Sequence, residues 1–211
     1  MFCLVYDTET TGRPADYKLS GREVANWPHV VQLGWALVDL EAGRVVKQQC
    51  GLLALDGDAV MEPKAEEIHG ISADYARRTG QDRDTVLAAF ERDMTVSRLA
   101  VCHNVGFDRP VMVAAALRDN CEGLADLLEG VPHYCTMLAG VNICRIPSAR
   151  GFKWPKLQEL HEELLGEGFS GAHDALADVM ACSRCLLRLH EACAGELPPE
   201  GHVGSLLLPG G

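Results

Sequence analysis

Two carboxylates lie two residues apart near the start of the sequence, Asp7 and Glu9 in the segment DTETTG. They follow a short apolar stretch typical of a β-strand, and strand residues of the same parity share one face. The two side chains would then lie about 7 Å apart along the strand. Such a pair repels itself unless a cation lies between its members, and Mg²⁺ and Mn²⁺ prefer oxygen ligands. Taken alone, the pair fits a solvated acidic turn better than a metal site.

A third carboxylate, Asp108, ends the segment HNVGFD (103–108). This segment follows the apolar stretch 98–102 and leads into residues with helical apolar spacing. Asp108 is therefore expected beside the C-terminal end of a strand, where the sites of open α/β sheets gather. The simpler interpretation is that Asp108 only stabilises the helix N-terminus, a contribution of about 0.3–1 kcal/mol.

The segment HDALAD (173–178) supplies a fourth carboxylate and a histidine. Asp174 is a natural N-cap, which places His173 just before a helix and Asp178 one turn into it. Helical spacing puts Asp178 in line with apolar positions as far as Leu189. A carboxylate in an apolar stripe is costly to bury unless it is paired or binds a metal. A neighbouring histidine, usually a surface residue in this position, is suited to take a proton from water.

The combination is more informative than any one segment. Four acids in three segments, Asp7, Glu9, Asp108 and Asp178, together with His173, form the set that a two-metal phosphodiester hydrolase requires. In such enzymes one ion generates hydroxide, the other stabilises the leaving oxygen, and a base takes the proton. The expected cofactors are therefore two divalent cations, Mg²⁺ or Mn²⁺.

The hydropathy pattern predicts an α/β protein around one mixed sheet, because an early hairpin of strands is followed by strands that alternate with helices. The predicted strands are 2–6, 30–40, 44–54, 98–102 and 133–137. The predicted helices are 64–69, 72–78, 82–94, 106–121 (with Pro110 allowed only in the first turn), 155–165 and 174–193. Two polar segments, 13–29 and the basic segment 145–156, are expected to be loops.

Length and charge limit the classes that fit. The 211 residues suit one domain, 1–193, with a flexible tail, 194–211, whose apolar residues 206–208 weakly suggest a contact between copies. No signal peptide or membrane span is recognisable, so a cytoplasmic protein without a membrane partner is expected. A net charge of −11 argues against a protein that coats nucleic acid, but not against an enzyme that binds one chain end with cations.

The nine cysteines are scattered and lie mostly in apolar stretches, which favours reduced, buried thiols. The CxxC pair Cys182 and Cys185 lies within a predicted helix and has no second CxxC or histidine pair nearby. Core packing is therefore expected for both thiols, in preference to a zinc or redox site.

The ordered set of motifs resembles the DnaQ-like (DEDDh) 3′→5′ exonucleases of the ribonuclease H-like superfamily. The matching segments are DTETTG (7–12), HNVGFD (103–108) and HDALAD (173–178), with accessory similarity at 30–39 and 68–72. The resemblance covers about residues 2–190 in the family's order. It implies a three-layer α/β sandwich with a five-stranded mixed sheet flanked by helices, and hydrolysis of terminal phosphodiesters to nucleoside 5′-monophosphates.

The resemblance also implies residue roles. Asp7, Glu9, Asp108 and Asp178 would bind two cations, with Asp7 bridging them, and His173 would deprotonate the attacking water. Residues at positions that hold the terminal nucleotide in relatives are Thr10, His69, Asn104 and Phe107. The sequence departs from compact members at 13–29, which is longer, and at the basic segment 145–156. Each departure is either a surface loop or part of a path for the substrate strand.

Substrate and partners stay open among several interpretations. The favoured partner is a DNA 3′ end, single-stranded or frayed, as in proofreading or repair, with a polymerase or another replication protein as a further candidate. An exoribonuclease that trims small RNAs is the main alternative, because the sequence does not reveal how a 2′-hydroxyl would be treated. A catalytically silent nucleic-acid-binding module and a hydrolase of small phosphoesters are the alternatives from other classes.

Overall fold

A five-stranded sheet forms the centre of the protein, with strand order β3-β2-β1-β4-β5. The structure, a computed structural model, describes residues 1–149, 151–193 and 195. The strands are β1 (Phe2–Thr10), β2 (Val30–Asp39), β3 (Arg44–Leu52), β4 (Leu99–Cys102) and β5 (His133–Cys135). The first three are antiparallel neighbours, whereas β4 runs parallel to β1 and β5 runs parallel to β4. The predicted five-stranded mixed sheet is therefore confirmed.

Helices cover both faces of this sheet. They are α1 (Pro63–His69), α2 (Ala73–Thr79), α3 (Arg83–Thr95), α4 (Val105–Arg118), α5 (Glu122–Gly130), α6 (Thr136–Ala139), α7 (Val141–Cys144), α8 (Leu157–Leu165) and α9 (Ala175–Ala192). One apolar cluster joins the sheet to α3, α4 and α5, and another joins its opposite face to α9. The resulting three-layer sandwich is the predicted fold class.

The parity of β1 decides which side chains meet which layer. Leu4 and Tyr6 belong to the cluster with α3, α4 and α5, whereas Cys3 and Val5 belong to the cluster with α9. Alternation along a strand then places Asp7 on the α9 side of the sheet. The sequence predicts the end of this strand at residue 6, but β1 continues to Thr10 because it pairs with β2 that far. The polar composition of DTETTG does not predict a strand, and pairing with the distant β2 stabilises one there.

The structure also departs from the predicted helices. Helix α4 begins at Val105, so Pro110 is an interior residue of the helix and not part of its first turn. The helix tolerates it although a proline cannot donate a hydrogen bond to the carbonyl four residues earlier. Helix α5 was not predicted as a separate element, although its apolar residues Leu124 and Leu128 are buried against the core.

The described residues of the two polar segments form defined connections that contain short secondary structure. Segment 13–29 contains one short 3-10 turn, Val24–Asn26. Segment 145–156, predicted as a plain loop, contains a small hairpin of β6 (Pro147–Ser148) and β7 (Gly151–Phe152).

The thiols of Cys182 and Cys185 are buried in α9 and free, as expected for core residues. Within the described residues, no helix is long and apolar enough to cross a membrane. The tail proposed for 194–211, including 206–208, lies outside the described residues except for Gly195.

Candidate active site

The start of α9 is held close to the end of β1 by two features of β2. Gly34 lies opposite Asp7 in the ladder, and a Cβ atom at Gly34 would be 2.6 Å from the backbone carbonyl of Ala175. Gln32 accepts a hydrogen bond from the Ala175 N–H at 3.0 Å and donates one to Asp174 at 3.2 Å. The lack of a side chain at Gly34 and the amide of Gln32 therefore fix the N-terminus of α9 over the sheet.

The motif HDALAD then brings its carboxylate to β1. Asp174 accepts a hydrogen bond from the Ala177 N–H at 3.0 Å, which confirms it as the N-cap. The backbone N–H of His173 donates to Asp178 at 3.1 Å, and His173 has the left-handed φ of 71°. Potential ligand atoms of Glu9, His173 and Asp178 all lie within 4.8 Å of one another.

Asp108 approaches the same strand from the opposite layer. Its carboxylate oxygen Oδ1 accepts two hydrogen bonds from Thr8, one from the backbone N–H at 3.1 Å and one from the hydroxyl at 2.8 Å. Both residues are buried. Because Asp108 lies in the first turn of α4, directly after β4, the C-terminal ends of the parallel strands β1 and β4 jointly position it.

Burial and mutual repulsion act on all four carboxylates in the same direction. Burial raises the pKa of Asp7 well above its usual value, and Asp108, Asp178 and Glu9 add to the effect. Burial and then the charges of Asp178 and Asp108 raise the pKa of Glu9 to about 8. Burial also raises the pKa of Asp108, partly offset by the bonds from Thr8, and that of Asp178, partly offset by the backbone N–H of His173.

No lysine or arginine in the described part of the chain forms an ion pair with any of these four carboxylates. Their oxygen atoms form the donor set that hard divalent cations prefer. A cluster of acids that raise one another's pKa without a cationic partner fits bound cations, because a cation would relieve the repulsion.

A pocket of about 380 Å³ opens beside the carboxylates and contains all four residues predicted to hold a nucleotide. They are Thr10, His69, Asn104 and Phe107, and Glu9 and His173 line the same pocket. Asn104 has a left-handed backbone with φ of 104°, directly before α4. The structure thus brings every residue of the predicted set to one end of the sheet.

Two of the predicted nucleotide-binding side chains already have protein partners. The hydroxyl of Thr10 donates to the carbonyl of Gly12 at 2.8 Å. In His69, Nδ1 accepts from the Ile71 N–H at 3.0 Å, so Nε2 carries the proton and donates to the carbonyl of Thr10 at 3.1 Å. Burial lowers the pKa of His69, which is consistent with this neutral form. Both ring nitrogens of His69 therefore stabilise the pocket wall.

Sequence reasoning did not single out several residues that line the pocket, and Tyr17 is the aromatic one among them. Tyr17, from segment 13–29, lines it together with Phe107, and the two ring centroids are 6.4 Å apart. The only sequence signal is an aromatic residue within a polar segment, which is too common to single it out. Segment 13–29 therefore forms part of the pocket wall.

Segment 145–156 also contacts the site, through Pro155 after its hairpin. His103, which precedes Asn104, contacts the carbonyl of Pro155 through Nε2 at 3.0 Å and the hydroxyl of Thr136 through Nδ1 at 3.0 Å. Burial lowers the pKa of His103 to about 4. The aromatic side chains of the segment, Phe152 and Trp154, are exposed, with Trp154 at 65%.

Several solved structures share this architecture. E. coli exonuclease I in complex with a dT13 oligonucleotide is 21% identical to this chain, with a TM-score of 0.69 over 90% of this chain and 41% of that chain. Its complex with a dA16 oligonucleotide is 20% identical, with a TM-score of 0.70 over 90% and 41%. The zinc-bound form of the E. coli exonuclease I–ssDNA complex is 20% identical, with a TM-score of 0.66 over 90% and 40%.

The chain shares its fold with the matching part of E. coli exonuclease I. The ribonuclease H-like architecture implied by the resemblance to DnaQ-like exonucleases is therefore confirmed. This chain spans about two fifths of the length of the exonuclease I chains it matches. No protein-family model and no curated protein sequence matches the chain.

Proposed function

We propose that the protein is a metal-dependent 3′→5′ exonuclease that removes nucleotides one at a time from a DNA 3′ end. The observation that carries the proposal is the convergence of Asp7, Glu9, Asp108 and Asp178, without a cationic partner among the described residues, beside a pocket lined by Phe107. The solved exonuclease I complexes contain single-stranded DNA, which supports the choice of substrate.

The four carboxylates would hold two divalent cations, Mg²⁺ or Mn²⁺. Bound cations supply charge stabilisation of the reacting phosphate and a lowered pKa of bound water. Glu9 and Asp178 have ligand atoms close enough to share one ion, and the hydrogen bonds from Thr8 fix the carboxylate of Asp108. The charges of Asp108, Asp178 and Glu9 all raise the pKa of Asp7, which supports it as the carboxylate shared between the two ions.

His173 is the proposed general base. Its side chain is exposed at the edge of the pocket, and its backbone is fixed by the bond to Asp178. In the proposed step, an oxygen of water forms a bond to the terminal phosphorus and a proton passes to the imidazole. The bond between phosphorus and the 3′ oxygen of the preceding nucleotide breaks, and that oxygen takes up a proton. The product is a nucleoside 5′-monophosphate.

A time course on 5′-labelled single-stranded DNA and RNA of the same sequence tests this function, in Mg²⁺, in Mn²⁺ and in EDTA. We expect a metal-dependent ladder that shortens from the 3′ end, faster on DNA. A faster ladder on RNA would support the exoribonuclease instead. Binding of either strand without cleavage would support a silent binding module.

The matched variants for this assay are Asp7→Asn and Asp58→Asn. Asp7→Asn removes one proposed ligand and should abolish cleavage without unfolding the protein, because it also relieves repulsion within the cluster. Asp58→Asn makes the same chemical change in an exposed loop and should cleave at the wild-type rate. Wild-type cleavage by Asp7→Asn would remove this residue from the metal site. Binding of Mn²⁺, followed by calorimetry, should be weakened in Asp7→Asn only.

A further inference from the structure

Tyr17 is an exposed aromatic residue at the wall of the nucleotide pocket. Its side chain is 56% exposed and lines the pocket together with Phe107, Asn104 and His69. The Tyr17 and Phe107 rings are 6.4 Å apart with an angle of 40° between their planes. They are tilted toward each other and not closely stacked, and both side chains line the pocket.

The backbone on either side of Tyr17 is fixed by hydrogen bonds. The N–H of Asp16 donates to the Asn26 side chain at 2.9 Å, and the Asn26 amide donates back to the Asp16 carbonyl at 2.8 Å. The N–H of Lys18 donates to the Asp16 carboxylate at 2.8 Å. Such reciprocal bonds around one residue hold the loop in one conformation, because each would be lost in another.

The base of the loop is fixed to the protein body as well. Arg118 of α4 donates to the carbonyls of Val24 at 2.7 Å and Pro28 at 3.0 Å, and also to that of Trp27. The buried Trp27 donates to the carbonyl of Ser20 at 2.9 Å, and its ring meets Tyr17 edge-on at 6.5 Å. The exposure of Tyr17 therefore belongs to an anchored loop and is not a sign of a loosely packed segment.

We propose that Tyr17 binds the terminal base of the substrate by stacking, from its place in the pocket wall next to Phe107. This inference rests on the proposed exonuclease function and adds a specificity residue to it. Every nucleobase has a π face, so stacking holds any base without reading its identity. Tyr17 would thus favour an intact base at the 3′ terminus over an abasic one.

The experiment compares Tyr17→Ala with Tyr75→Ala in steady-state cleavage of single-stranded DNA. Tyr75, on α2, is 49% exposed and lies outside the pocket lining, so its variant controls for the loss of a surface tyrosine. Stacking on one base corresponds to roughly a 10-fold to 100-fold change in binding. We expect KM to rise by about that factor in Tyr17→Ala with little change in kcat, because stacking contributes equally before and in the transition state. Tyr17→Phe should retain the wild-type KM.

A second substrate with an abasic 3′-terminal residue separates stacking from a structural effect. Wild type should bind the abasic end more weakly than the intact end, and this penalty should be smaller in Tyr17→Ala, where only the contacts from the rest of the pocket, Phe107 included, still depend on the base. An equal penalty for the abasic end in wild type and Tyr17→Ala would overturn the proposal, as would a wild-type KM in Tyr17→Ala. If the alanine variant does not fold, Tyr17→Leu, which keeps bulk without a ring face, takes its place.

Failure of this inference is distinguishable from failure of the proposed function. If the wild-type protein cleaves DNA from the 3′ end but Tyr17→Ala does so with unchanged KM, only the role of Tyr17 is wrong. If the wild-type protein cleaves neither DNA nor RNA, the exonuclease proposal is itself wrong. Fluorescence quenching of a 3′-terminal 2-aminopurine in Ca²⁺ gives a binding readout without turnover, and it should be reduced in Tyr17→Ala and not in Tyr75→Ala.

Discussion

At the scale of single residues, burial and mutual repulsion disfavour the ionised forms of the carboxylates in the site. Glu9 is buried and has no cationic partner among the described side chains, and its pKa is raised to about 8. The protein therefore carries a cluster that is unfavourable without cations. Hydrogen bonds from Thr8 and from the His173 backbone hold two of the acids in place despite this cost. Raised pKa values of this kind are expected at functional sites.

The proposed base gives a prediction at this scale. His173→Ala should lower kcat by about 10²–10⁴-fold, the usual contribution of a general base, with a smaller change in KM. Single-turnover cleavage of single-stranded DNA measures it. His190→Ala, a histidine near the C-terminal end of α9, is the control and should keep wild-type kcat. Full activity of His173→Ala would mean that another group takes the proton.

At the scale of elements, the site depends on the contact between β2 and the start of α9. Gly34 leaves room for the Ala175 backbone, and Gln32 bridges to Asp174 and Ala175. Both contacts join residues far apart in the chain. They set the distance between the acids of β1 and Asp178, which no local spacing rule controls.

Filling the gap at Gly34 should therefore damage activity more than folding. In Gly34→Ala the new Cβ would meet backbone atoms of Ala175 at 2.6 Å, so the helix start must shift. Overpacking of this kind costs about 1–3 kcal/mol of stability, and a displacement of about 1 Å at a site can cost 10²-fold in rate. Urea unfolding and kcat/KM on DNA measure the two effects.

The control for this variant is Gly57→Ala, where a Cβ would meet nothing within 4 Å. It should change neither stability nor rate appreciably. Wild-type activity in Gly34→Ala would show that the close approach of α9 to β2 is not needed for catalysis.

At the scale of the whole molecule, the net charge of −11 and the acidic site make stability depend on pH and on cations. The folded-state pKa of Glu9, about 8, lies above its ordinary value of 4.5. The folded protein therefore keeps this proton where the unfolded chain has lost it, and the free energy of unfolding falls as pH rises from about 4.5 to 8. Each unit of such a shift corresponds to about 1.4 kcal/mol.

The corresponding prediction concerns Glu9→Gln in metal-free buffer. The free energy of unfolding of Glu9→Gln minus that of wild type should increase by at least about 1 kcal/mol between pH 5 and pH 8. Wild type loses stability over this range because Glu9 ionises in the unfolded chain first, whereas glutamine has no proton to lose. Urea titrations at several pH values measure the difference, and the comparison between the two proteins cancels titrations they share. A difference independent of pH would contradict the raised pKa. Added Mn²⁺ should reverse the order at pH 8, since it stabilises the wild-type site by binding the folded state.

Much of the fold could be predicted from the sequence. The hairpin β2–β3, strand β4 and helices α3 and α9 follow from apolar periodicity and local signals such as the Asp174 N-cap. The errors lie where long-range contacts override composition. Strand β1 extends through polar residues because β2 pairs with it, and α4 continues through Pro110 inside a packed core.

The sequence by itself determined the chemistry available to the candidate site. The residue types and spacing of Asp7, Glu9, Asp108 and Asp178, with His173 beside the N-cap, limit it to oxygen ligands and one base. Only the tertiary structure decided which side chains surround these five residues. His69 supports the pocket wall with both ring nitrogens, and Tyr17 joins Phe107 across 90 residues of chain. Spacing rules act within one strand or helix, whereas these contacts depend on how separate elements pack against each other.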